Sequence, residues 1–125
     1  ADEYAFRQHV FCLTRNTEVD MLADAHKLIF FDRSAVDSIS WHRASGLDPH
    51  EILRQIATYR YREVFHFTAL PFADDGLRTA TEERRRFLDA ALERDYRALA
   101  YRPVRIPFAS VEERVRMLLR HCGVR

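Results

Sequence analysis

Glycine is scarce in this chain, with three in 125 residues, at Gly46, Gly76 and Gly123. Spaced so widely, they exclude a G-x-x-x-x-G-K-[ST] phosphate loop within these residues. Lysine is scarcer still: Lys27 stands alone, leaving 19 arginines among the 20 basic residues. The two cysteines, Cys12 and Cys122, form no C-x-x-C pair, which excludes a disulfide framework and a zinc knuckle and makes a reducing cytoplasm the expected setting. No apolar run approaches the roughly 20 residues of a membrane span, and the polar start ADEYAFRQH is no signal peptide. The formal charge of +1 leaves no global field for nucleic acid or anionic lipid, so neither is an expected partner. The six histidines make no H-x-x-x-H or H-E-x-x-H pair, and no G-x-S-x-G is present, which removes the zinc-helix and triad-hydrolase chemistries.

What is present is a globular composition, 47% hydrophobic and 31% charged, long enough for one domain with a real core. The arginine excess favours small anionic ligands, because the planar guanidinium grips phosphate and carboxylate bidentately.

Along the chain, residues 3 to 13 read as a helix, and Thr17 as the N-cap of a short second helix over 18 to 25. KLIFF, residues 27 to 31, is a continuous apolar run of strand formers, the pattern of a strand covered on both faces. Ser34 then caps a helix closed by Gly46, and Asp48 with Pro49 opens another that carries Ile52, Leu53, Ile56 and Tyr59 on one face. EVFHFTALP, residues 63 to 71, is a second strand. Thr79 and Glu82 form a capping box into a long helix ending near Leu99, with Arg84, Arg85 and Glu93 facing away from its apolar stripe. RPVRIP is a third, shorter strand, and Ser110 with Glu113 caps a last helix that ends near Gly123. Strands joined by helical connections of this length predict an α/β fold with a mostly parallel sheet.

In such sheets ligands bind beyond the carboxyl ends of the strands. Asp32 and Arg33 fall at the first such end, Asp74, Asp75 and Arg78 at the second, and Phe108 to Ser110 at the third. Asp32 can order the water shell of Mg²⁺ or accept a proton, and Arg33 can hold a phosphate; the plainer alternative is a helix cap beside a structural ion pair. Arg78 sits beside the Gly76 bend, while Arg84 to Arg86 read more simply as a solvated helix start. His66 lies within a strand and reads as packed rather than catalytic. Between residues 34 and 62, Trp41, His42, Arg43, Arg54, Tyr59 and Arg60 are candidates for an acceptor pocket.

Taken together, FFDRSAVD, YREVFHFTALPF, DDGLRTATEERRRFLDAALERDYRAL and YRPVRIPFASVEERVRMLL resemble the P-loop ATPases and kinases of the nicotinamide-riboside-kinase-like AAA type, from about Phe6 onward. The resemblance implies a three-layer P-loop NTPase-like fold, here a single partial domain over 1–125 without the family's first strand and Walker A loop. It implies ATP- and Mg²⁺-dependent phosphoryl transfer to a small metabolite or nucleotide, or NTP hydrolysis, in a chain that is incomplete for catalysis. Asp32 would be the metal or base residue, and Arg33 and the lid residue Arg78 would act on phosphate. Arg84, Pro107 and Ser110 would lie along the nucleotide, and Asp75, Trp41 and Arg43 along the acceptor. The alternative is a non-catalytic binding or assembly domain on the same scaffold, open to strand addition or self-association.

Overall fold

The computed structural model describes residues 2–22, 28–57, 60–68 and 82–124. Two compact units divide the chain, Ala1–Tyr59 and Arg60–Arg125.

The first unit is helical, with α1 (Asp2–Leu22), α2 (Asp37–Ala44) and α3 (His50–Ile56). With no glycine or proline between residues 2 and 22, nothing interrupts α1, and the two expected helices are one. Thr17 is not a cap: its hydroxyl donates to the Leu13 carbonyl one turn back at 2.9 Å, as Thr14 does to Val10. The α2 helix starts at Asp37, after a turn in which the Ser34 hydroxyl accepts from the Val36 amide at 3.1 Å and the Ser34 carbonyl from that of Asp37. It ends as expected at Gly46, whose φ of 72° suits a residue without Cβ and lets the Leu47 amide reach back to the His42 carbonyl at 2.8 Å. Asp48 accepts from the His50 amide at 2.9 Å and so supports the start of α3. Phe11, Ala35, Val36, Ile39, Ile52 and Ile56 form the core. Glu18 is buried among them, and its carboxylate accepts from the Ala35 amide at 3.0 Å, tying α1 to the turn before α2.

KLIFF does not form the expected enclosed strand. Lys27 lies outside the described residues; Leu28 and Phe30 are exposed while Ile29 and Phe31 are half-buried, and no ladder holds the segment among the described residues. That alternation is the pattern of a segment with one covered face, which a run of four apolar residues conceals.

The second unit contains β1 (Phe65–Phe67), α4 (Glu82–Ala98), β2 (Val104–Ile106) and α5 (Val111–His121). The strands pair in parallel with Phe65 opposite Val104, His66 opposite Arg105 and Phe67 opposite Ile106, as a helical crossover requires. The α4 helix buries Leu88, Ala91, Asp95 and Tyr96 and leaves Phe87 exposed. Thr79 lies outside the described residues, as do Tyr59, Pro71 and Gly76. The capping box on α5 forms as predicted: the Ser110 hydroxyl accepts from the Glu113 amide at 3.2 Å, and the Ser110 amide donates to the Glu113 carboxylate at 3.0 Å. The Ser110 amide, followed by the Ser110 hydroxyl, holds the Glu113 carboxyl below its ordinary range.

Candidate functional site

The turn that follows Asp32 places Arg33 in the left-handed region, φ 68°, a conformation that costs a non-glycine residue roughly 1–2 kcal/mol. The Glu18 bond to Ala35 and the Ser34 bonds to Val36 and Asp37 hold the residues just after it. The Arg33 guanidinium comes within 5.9 Å of the centroid of the Trp41 ring, and that of Arg7, from α1, within 4.8 Å. Both distances are within cation–π range.

Arg7, Thr14, Arg33, Ser34, Asp37 and Trp41 line an open cleft of about 190 Å³, with His42 at its base. His42 is fully buried; its Nδ1 lies 2.8 Å from the Ser38 carbonyl and its Nε2 3.3 Å from Gln8 Nε2. A carbonyl can only accept, so Nδ1 carries the proton and Nε2 accepts from the Gln8 amide. Burial lowers the His42 pKa, outweighing the Ser38 carbonyl, and the nearby Arg7 cation lowers it further. The cleft therefore sets an indole between two guanidiniums, that of Arg7 paired with Glu3 at 2.9 Å, with Asp37 also in the lining; Arg33 is the cation placed to meet an anion attached to a planar group.

Of the expected site residues, the first unit brings Arg33 and Trp41 together. Asp32 is exposed and outside the cleft lining; Arg43 is exposed too, because residues two apart on a helix point in different directions. Arg54 pairs with Glu51 at 2.8 Å on the surface of α3. In the second unit Arg84 is exposed on the first turn of α4, Pro107 is exposed just past β2, and Ser110 caps α5. Asp75 and Arg78 lie outside the described residues. Arg7 was not anticipated, since nothing in ADEYAFRQH marks one arginine as facing an indole 34 residues later.

The second unit also holds a charge cluster that the sequence reading misplaced. Glu93 does not face away: His66 Nδ1 meets its carboxylate at 3.0 Å, while Nε2 meets Asp89 at 2.9 Å. Arg105 reaches Asp89 at 3.2 Å, and Arg97 reaches Glu93 at 2.9 Å. The double contact to His66 is complete only when both ring nitrogens carry protons. Its bond to Glu93, followed by that of Arg97, lowers the Glu93 pKa despite partial burial. The signal was the spacing of Asp89, Glu93 and Arg97, four apart along one side of α4. Among the described residues no group of three or more His, Cys, Asp or Glu side chains is arranged to hold a metal ion.

No curated protein and no solved structure matches the chain. The profile of one family, described as AAA domain, matches residues 1–114, nearly the whole length of both units. With its helical unit and its parallel β–α–β unit both inside that match, the chain belongs to the AAA domain family, whose members are nucleotide-binding, NTPase-like domains.

Proposed function

We propose that this chain is the larger part of one P-loop kinase-like domain, acting in Mg²⁺- and ATP-dependent phosphoryl transfer to a small metabolite or in NTP hydrolysis. The family match over residues 1–114 carries the nucleotide-binding half of this reading, and the Arg7–Trp41–Arg33 cleft supports an anionic substrate.

The residues present fit Mg-ATP in part. Mg²⁺ keeps most of its waters and is commonly held by one or two carboxylates together with phosphate oxygens, so the exposed Asp32 suffices as the protein's ligand. When bound, Mg-ATP supplies the transferable phosphoryl group and the cation that neutralises its charge. Within the first unit, Arg33 would orient a phosphate, with Arg7 as a second cation, and Trp41 would contact the acceptor; roles for Arg78, Arg84, Pro107 and Ser110 on the nucleotide, and for Asp75 and Arg43 on the acceptor, rest on the family resemblance alone. In the alternative role, Asp32 would take the proton of the attacking hydroxyl instead of serving the metal.

The described glycines do not provide the phosphate cradle. The amides of Gly46 and Gly123 donate to the Arg43 and Arg120 carbonyls at helix ends, at 3.0 and 3.1 Å. In the proposed enzyme the cradle and its strand come from residues beyond these 125. The same use of glycine favours the second reading, a non-catalytic binding or assembly domain that keeps the scaffold.

Calorimetric titration with Mg-ATP, run on the natural protein that contains this chain beside the chain alone, separates the two. The enzymatic reading expects binding that Arg33→Ala weakens tenfold or more and Asp32→Asn weakens only when Mg²⁺ is present. No heat from either at millimolar Mg-ATP leaves the binding-domain reading for this chain.

A further inference from the structure

A second cleft, of about 360 Å³, lies at the opposite ends of the two strands from those where an α/β sheet normally binds its ligand. Its walls are residues 60–64, leading into β1, and residues 100–102, leading into β2. Three guanidiniums line it, from Arg60, Arg62 and Arg102, against the single carboxylate of Glu63. None of the three arginines is in an ion pair among the described residues. The volume falls within the roughly 300–1,000 Å³ usual for small-molecule sites, which the cleft beside Trp41 does not reach.

Backbone carbonyls fix two of these cations in place. Arg60 Nη1 donates to the Leu99 carbonyl at 3.2 Å and Arg62 Nη2 to that of Cys122 at 3.0 Å, at the C-terminal ends of α4 and α5, where the helix dipole favours positive charge. Each bond uses one of five guanidinium N–H groups, so most of the donors stay available. The aromatic wall is fixed as well. The Tyr101 hydroxyl accepts from the Tyr61 amide at 3.1 Å, the two rings lie 5.9 Å apart, and Arg60 stands 5.5 Å over the Tyr101 ring. Arg102 is exposed and makes no hydrogen bond among the described residues, so it caps nothing.

We propose that this cleft binds a small phosphomonoester carrying a planar ring, of the nucleoside monophosphate class. Arg102 and the remaining donors of Arg60 and Arg62 hold the phosphate, and the ring lies against Tyr61 and Tyr101. The site is separate from the phosphoryl-transfer site and does not depend on that reading.

The test titrates the full chain with AMP, adenosine and inorganic phosphate without Mg²⁺, following backbone amide shifts by NMR. AMP is expected to bind at least tenfold more tightly than adenosine, to shift the amides of Tyr61, Glu63 and Tyr101, and to lose at least tenfold in affinity in Arg102→Gln. Since Arg102 supports no helix end, that variant keeps the wild-type spectrum elsewhere. Arg102→Lys, which retains charge but not the fork, is expected to recover part of the affinity. Shifts confined to the neighbourhood of Arg33, equal affinity for AMP and adenosine, or an Arg102→Gln titration identical to wild type would each overturn the proposal.

Discussion

Glu93 accepts a hydrogen bond from His66 at 3.0 Å, so an acid on the crossover helix holds the middle residue of the first strand. Because the bond lowers the Glu93 pKa in the folded state, the unfolded chain takes up this proton first as pH falls. The stabilisation is complete above the ordinary glutamate value of 4.5 and is lost as pH drops through the lower folded-state value. Glu93→Gln should cost about 1 kcal/mol at pH 7, discounted for partial exposure, and flatten this part of the acid limb in urea denaturation followed by circular dichroism. An acid limb that overlays the wild type would refute the role assigned to this pair.

His42 gives the first unit a pH dependence at milder acidity. Its folded pKa is depressed chiefly by burial, so the unfolded chain protonates first as pH falls through 6.5, and stability declines from there toward the folded value. A neutral replacement that keeps a donor, His42→Asn, should remove that decline while lowering stability at pH 8. An unchanged slope between pH 7 and 5.5 would show that His42 is not its source.

Ala100 occupies the left-handed position after α4, φ 69°, with its amide on Arg97 and that of Tyr101 on Tyr96. It is the same helix ending that Gly46 and Gly123 make, formed by a residue that pays for its Cβ. Ala100→Gly should stabilise the chain by about 0.5–1 kcal/mol, the relief of that strain exceeding the added freedom of the unfolded chain. A lower urea midpoint in the variant would count against this account.

Ile52 is wholly buried in the core of the first unit. Ile52→Ala should cost about 2–4 kcal/mol, from lost transfer energy and the cavity left behind. Leu53, next to it and only half-buried, should cost less on the same change, and the ordering of the two midpoints is the check.

Helix ends were the most legible feature of the sequence. Gly46, Gly123 and the Ser110–Glu113 box are local, short-range devices, so reading them needed no tertiary information. The parallel pairing of β1 and β2 also followed from the length of the helix between them. What failed depended on distant groups. Thr17 looked like a cap because threonine hydroxyls favour helix starts, yet the same hydroxyl bonds one turn back once α1 runs through. KLIFF looked enclosed because four apolar residues hide an alternation that only the surroundings reveal. Glu93 was assigned to solvent because a helix pattern shows which face is apolar, not which charge waits on a neighbouring strand. Of the cleft lining, Arg33 and Trp41 stood out in the sequence as candidates, while Arg7 depended on how α1 packs against α2.

Each unit carries one free thiol, Cys12 in the first and the buried Cys122 in the second. Cys122 lies at the end of α5, where its carbonyl accepts from Arg62. Alkylation of a buried thiol waits for local opening, so the modification rates of these two sulfurs are separate clocks for the two halves of the chain. A ligand held by Arg62 and its neighbours would slow the Cys122 clock and leave that of Cys12 running at its own pace.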